Sequence, residues 1–160
     1  MVLPGIVLPG IVLSDGWEGE ADMSEEDGVV TGLGGIFVKS ENSDELVKWY
    51  REKLGFPFDG YGSSFLMREE DDPEKVGYTV WGPFKKETDY FKPSKKDFMI
   101  NLRVRGLEAL LKRLKAQGVE QVGAMEEHEY GRFAWIIDPD GTKIELWEQI
   151  AEPPNLNGEG

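Results

Sequence analysis

Cysteine is absent from the 160 residues, and histidine occurs once. The first absence excludes a disulfide scaffold, thiol catalysis and thiolate-held metal. The second excludes any cluster of several imidazole ligands within one chain. Basic residues are scarce, with 18 Lys and Arg against 31 Asp and Glu and a formal net charge of -13. Nucleic acid is therefore not an expected partner, because phosphate binding needs a basic face. Long hydrophobic runs are also missing. The apolar opening of 13 residues is broken by Pro-Gly every five residues and is too short to cross a bilayer, so no membrane partner is expected. No basic segment precedes it, so a secretory signal is not expected and the predicted location is cytoplasmic.

The acidity that is present sits at the ends. Residues 1–32 hold seven acids (Asp15, Glu18, Glu20, Asp22, Glu25, Glu26 and Asp27) and no base, while residues 151–160 add Glu152 and Glu159. The segment 33–150 is left with 22 acids and 18 bases, a net charge of -4. Residues 1–32, with Val-Leu-Pro-Gly-Ile standing twice in tandem, therefore read as a flexible acidic tail, and residues 151–160 as a disordered exit. One domain over 33–150 remains, with enough chain for a core.

Periodicity divides that domain in two. Gly35–Lys39 is β-rich, Asn42–Glu45 supplies a helix start, and Leu46, Val47, Trp49, Tyr50 and Leu54 form an apolar stripe that Gly55 ends. Ser64–Arg68 and Gly77–Trp81 follow as strands, separated by an acidic turn, Glu69–Pro73. The second half repeats the scheme. Phe98–Val104 is a strand, Leu107, Leu110, Leu111 and Leu114 mark a helix, and Val119–Met125, Tyr130–Ile137 and Thr142–Trp147 are expected strands. Asp138-Pro-Asp-Gly141 joins the last two as a turn. A shift of 64 residues places Ile36 on Ile100 and Leu46 on Leu110. The pattern predicts a duplicated β-α-β-β-β unit whose one-sided sheets bury each other.

The residues that carry a resemblance are Trp49-Tyr-Arg-Glu-Lys-Leu54-Gly55, Val104-Arg-Gly-Leu107-Glu-Ala-Leu110, and Tyr130-Gly-Arg-Phe-Ala-Trp135-Ile-Ile-Asp138-Pro-Asp-Gly141-Thr-Lys-Ile144-Glu145-Leu146-Trp147-Glu148. In this order they resemble the vicinal oxygen chelate superfamily of glyoxalases, bleomycin-resistance proteins and dioxygenases, over about three quarters of the chain. Trp81-Gly-Pro-Phe84 and Thr88-Asp-Tyr-Phe91 look like a glyoxalase-like branch without a defined activity. The resemblance implies an α+β fold. Two modules, about 33–92 and 97–150, would form an open, cup-shaped mixed β-sheet with helices outside. It also implies a homodimer.

In metal-dependent members a divalent ion sits in the cup, held by the first and last strands of each module. Counting along the resemblance, the corresponding positions here are Gly35, Met99, one of Thr79, Val80 or Trp81, and Glu145. Only Glu145 has ligand chemistry, so a degenerate metal site is expected, with no cofactor predicted and a divalent metal kept as the lesser alternative. His128 lies in the acidic run 126–129 and reads as a surface residue.

Strand alternation sends Phe37, Met99, Asn101, Arg103, Glu145 and Trp147 into the cup, together with Thr79, Trp81 and Trp135. These nine residues are the expected binding site for a small-molecule ligand, one that is anionic or carbonyl-bearing. Glu145 is the candidate catalytic residue, a general base if the fold buries it. An Arg103–Glu145 pair is the structural alternative. Three functions remain open: a glyoxalase-like small-molecule binder, a metal-dependent lyase, isomerase or dioxygenase, and a non-catalytic dimeric interaction module.

Overall fold

The computed structural model describes residues 28–151, apart from 59, 61 and 71. The expected tails lie outside the described residues except for residues 28–32 and 151, of which Val29–Gly32 belong to the first strand. The elements run β1 (Val29–Ser40), α1 (Ser43–Leu54), β2 (Ser63–Arg68), β3 (Val76–Lys85), β4 (Phe98–Arg105), α2 (Leu107–Ala116), β5 (Glu126–His128), β6 (Gly131–Ile137) and β7 (Lys143–Glu148). No helix among the described residues is long and apolar enough to cross a membrane.

The local signals act as their chemistry dictates. Asn42 Oδ1 accepts the Glu45 N–H at 3.1 Å, and its Nδ2 donates to Glu45 Oε2 at 3.2 Å, a reciprocal cap that starts α1. Gly55, at φ +69°, ends it in a left-handed turn. The start of α2 has no cap of its own. Instead, Glu148 Oε1 on β7 accepts the N–H groups of Gly106 and Leu107 at 2.7 and 3.3 Å.

The seven strands form one mixed sheet in the order β2-β3-β1-β4-β7-β6-β5. Strands β1 and β3 are parallel, as are β4 and β7, and β1 meets β4 antiparallel at the centre. Ile36 pairs with Ile100 at that seam. Residues equivalent under a duplication face each other only at a two-fold axis, so this pair marks where the halves meet. Among the described residues the first half is β-α-β-β and the second is β-α-β-β-β, together an α+β open cup.

One expected strand is displaced. Val119–Met125 makes a single bridge, Gln121 to Ile136, rather than a ladder. Gly123 takes φ +75° and breaks the extended run. The edge strand forms three residues later, as β5.

Each face of the sheet has its own core. On the helix side, Val104, Leu107, Leu110, Ala134, Ile144 and Leu146 are buried together. On the cup side, Phe91, Met99 and Trp135 are buried with Phe37, Phe84 and Phe133 against them. Alternation along β4, β6 and β7 explains the division, since successive side chains take opposite faces. The cup is consequently part core and part cavity.

Candidate functional site

Strand register builds the centre of the site. Glu145 on β7 stands beside Asn101 on parallel β4 and opposite Trp135 on antiparallel β6. Both neighbours donate to it, Asn101 Nδ2 to Oε1 at 2.6 Å and Trp135 Nε1 to Oε2 at 2.8 Å. Tyr90, from the connection between β3 and β4, adds its hydroxyl to Oε2. The carboxylate is 2 % exposed, and none of the ion pairs among the described residues involves it. It is therefore a buried acid held by three neutral donors, an arrangement that removes most of the cost of leaving water. About four acceptor directions exist on a carboxylate, which leaves one on Oε1.

Burial and the neighbouring Glu145 carboxylate push the Tyr90 phenol far above its ordinary range. Lys143, two residues before Glu145 on the same face, is 7 % exposed and donates to the Tyr90 carbonyl at 2.5 Å. Its ammonium lies 5.1 Å from the Tyr90 ring centre and 5.3 Å from that of Trp135. Burial lowers its pKa, and attraction to Glu145 and Glu126 offsets this in part.

Arg103, on β4 two residues beyond Asn101, does not pair with Glu145. Its guanidinium donates to Glu69 Oε1 at 2.8 Å, Gln149 Oε1 at 2.8 Å and the Tyr78 carbonyl at 3.2 Å, and it lies 5.2 Å from the Trp147 ring centre. The acidic turn read from the sequence thus supplies the counter-ion, with the Glu69 side chain only 13 % exposed. Arg103 lines a separate groove of about 390 Å3 with Arg68, Glu69 and Arg105.

A cavity of about 160 Å3 opens beside Glu145, close to the size that holds a benzene ring. Its walls are the rings of Phe37, Tyr78, Tyr130, Phe133 and Trp147, with Val80 between them. Asn101 and Glu145 are its polar residues. Asn101 Oδ1 has no hydrogen-bond partner and lies against Gly34, where a Cβ would stand 1.8 Å from it. Any residue but glycine at position 34 would strike that carbonyl.

Of the nine residues expected from the sequence, the structure brings Phe37, Asn101, Glu145 and Trp147 to the cavity. Met99 and Trp135 lie behind it in the cup-side core. Two placements need correction. Trp81 packs on the opposite face against Tyr50 and Phe56, with ring centres 4.3 and 5.7 Å apart, and Thr79 shares that face by alternation. The cup-facing residues of β3 are Tyr78 and Val80. Arg103 reaches the cup but is held by its own partners outside the cavity. Tyr78, Tyr90, Tyr130 and Phe133 were not singled out in the sequence. An aromatic pair in a loop, Tyr90-Phe91, was the one signal that the connection folds into the cup, and Phe91 is fully buried there.

A divalent ion needs several oxygen or imidazole lone pairs converging on one point. Asn101, Tyr90 and Trp135 present hydrogens, not lone pairs, to Glu145. The Asn101 carbonyl faces Gly34, and Met99 is enclosed among rings. Among the described residues no group of three or more His, Asp or Glu side chains is placed to hold a metal. The donor set here does not fit the metal that the family implies, and His128 is a surface residue bonded to Glu126 at 2.8 Å.

A duplicated open cup with a polar centre defines a class of proteins, and comparison agrees. Residues 33–146 match the sequence model of the Glyoxalase/Bleomycin resistance protein/Dioxygenase superfamily, and the chain belongs to that superfamily. No curated protein matches the chain. Among solved structures it is similar to methylmalonyl-CoA epimerase from Mycobacterium tuberculosis, with 21 % identity, a TM-score of 0.53 and coverage of 79 % of this chain and 91 % of that one. A Streptomyces coelicolor methylmalonyl-CoA epimerase variant in complex with 2-nitronate-propionyl-CoA is 15 % identical, with a TM-score of 0.59 and coverage of 77 % and 100 %. At this identity the likeness establishes the fold.

Proposed function

We propose that this chain binds a small organic molecule in the aromatic-walled cavity beside Glu145, and does so without a divalent metal. The observation that supports this reading is the state of Glu145. It is a buried carboxylate whose three neutral donors leave one acceptor direction on Oε1, at the edge of a cavity lined by five rings. Apolar walls with a few fixed polar groups are the composition of a ligand site. The Arg103 charge is matched by Glu69, which argues for a neutral or cationic ligand over an anionic one. If turnover accompanies binding, Glu145 is the group placed to take part in it. Assembly as a homodimer belongs to the same reading, because Ile36 and Phe98 leave an apolar area on the helix side of the central strands, 41 % and 40 % exposed.

Thermal denaturation tests the proposal. A panel of small neutral aromatic and carbonyl compounds and small organic cations should contain molecules that raise Tm, since a ligand that binds only the folded state stabilises it. Chelator, or added magnesium, manganese, nickel or zinc, should leave Tm unchanged. One tightly held metal per chain in the purified protein would overturn the metal-free part of the reading. A panel without a stabilising compound would overturn the binding part.

A further inference from the structure

The geometry points to a small organic cation, of the methylated-ammonium type, as the ligand class of this cavity. The inference rests on the small-molecule reading above and names its chemistry. Aromatic walls and a bordering carboxylate are the two elements that recognise an alkylammonium group, one through the negative ring faces and the other through charge. Here Phe37, Tyr78, Tyr130, Phe133 and Trp147 contribute walls, and Glu145 borders the space.

Three further observations agree. First, among the described residues the Glu145 carboxylate takes hydrogen bonds from Asn101, Tyr90 and Trp135, all neutral, and forms no ion pair, so a cation in the cavity would add one. Second, the cup already seats its own cations on rings, Arg103 on Trp147 at 5.2 Å and Lys143 on Tyr90 and Trp135 at 5.1 and 5.3 Å. Neither lines the cavity: Glu69 holds Arg103 at 2.8 Å, and Lys143 donates to the Tyr90 carbonyl at 2.5 Å. Third, the domain over 33–150 carries 22 acids and 18 bases, a net charge of -4, which favours cations over anions at longer range. The volume of about 160 Å3 suits a trimethylammonium head.

The test compares choline with its uncharged isostere dimethylbutanol, in which carbon replaces the nitrogen, by titration calorimetry on the full chain. Choline should bind at least about tenfold more tightly than the isostere. Tyr130→Leu and Phe133→Leu, which keep apolar bulk and remove a ring, should each weaken choline severalfold and change the isostere by less than about twofold. Equal affinity for the two probes, or preference for the isostere, would overturn the cation assignment and leave small-molecule binding standing. Binding of neither probe would overturn the assignment too, and the neutral members of the panel then decide the broader reading separately.

Discussion

Gly34 and Asn101 show how little room the centre of the cup allows. The Asn101 amide is anchored by its 2.6 Å bond to Glu145, so its carbonyl cannot swing away from an added methyl group at position 34. Gly34→Ala should lower stability by about 1–3 kcal/mol, the usual range for overpacking, measured by urea denaturation. Tyr90 and Lys143 give the site an alkaline signature of opposite signs. The Tyr90 phenol keeps its proton in the folded state above 10.0, where the unfolded chain loses it, so its contribution is complete below pH 10 and falls away above it. The Lys143 ammonium gives up its proton below 10.5 in the folded state while the unfolded chain retains it, so its penalty shrinks as pH rises towards 10.5. Urea melts from about pH 8 to about pH 11 should show that Tyr90→Phe removes the fall and Lys143→Met removes the rise. At this scale the sequence showed the β4 and β7 residues well, because Glu145 fixed their alternation. It misplaced Thr79 and Trp81, because nothing local sets the parity of β3. That parity follows from Trp81 seating against Tyr50 and Phe56, a contact between distant segments.

The two helices carry equal roles in the duplication and unequal burial. Helix α2 buries Leu107 and Leu110 in the helix-side core, whereas none of the residues of α1 is fully buried, and Trp49 is half and Leu54 more than half exposed. Segments with few buried apolar contacts open at lower free energy. Amide hydrogen exchange should therefore release α1 faster than α2, and equal protection would contradict this account. Asn42→Ala should widen the gap, removing about 1 kcal/mol from the α1 start, while α2, capped by Glu148 from another strand, stays unaffected. The start and stop of α1 were legible because its capping is local chemistry, whereas the cap of α2 comes from a distant strand. The displacement of β5 was not legible, since Val119–Met125 has strand composition and is interrupted by one residue, Gly123, whose backbone conformation no pattern of hydrophobicity reveals.

At the level of the molecule, the duplication was readable as a 64-residue shift, and the Ile36–Ile100 pair shows why it works: both halves contribute the same kind of residue to one axis. The apolar area around Ile36 and Phe98 lies on that axis, on the face opposite the cavity. Sedimentation velocity should find a homodimer, and replacing both residues with Lys should shift the protein towards monomer. A monomer in the unaltered chain at micromolar concentration would remove this part of the proposal.

The halves have diverged in what they offer the cup. The first supplies Phe37, Tyr78 and Val80, and the second supplies the rings of Tyr130, Phe133 and Trp147 together with Asn101 and Glu145. The one acid at the cavity comes from a single half. A guest bound as proposed would turn its polar end towards Glu145 on β7 and leave its other substituents towards the mouth, which is where mirror-image guests would differ.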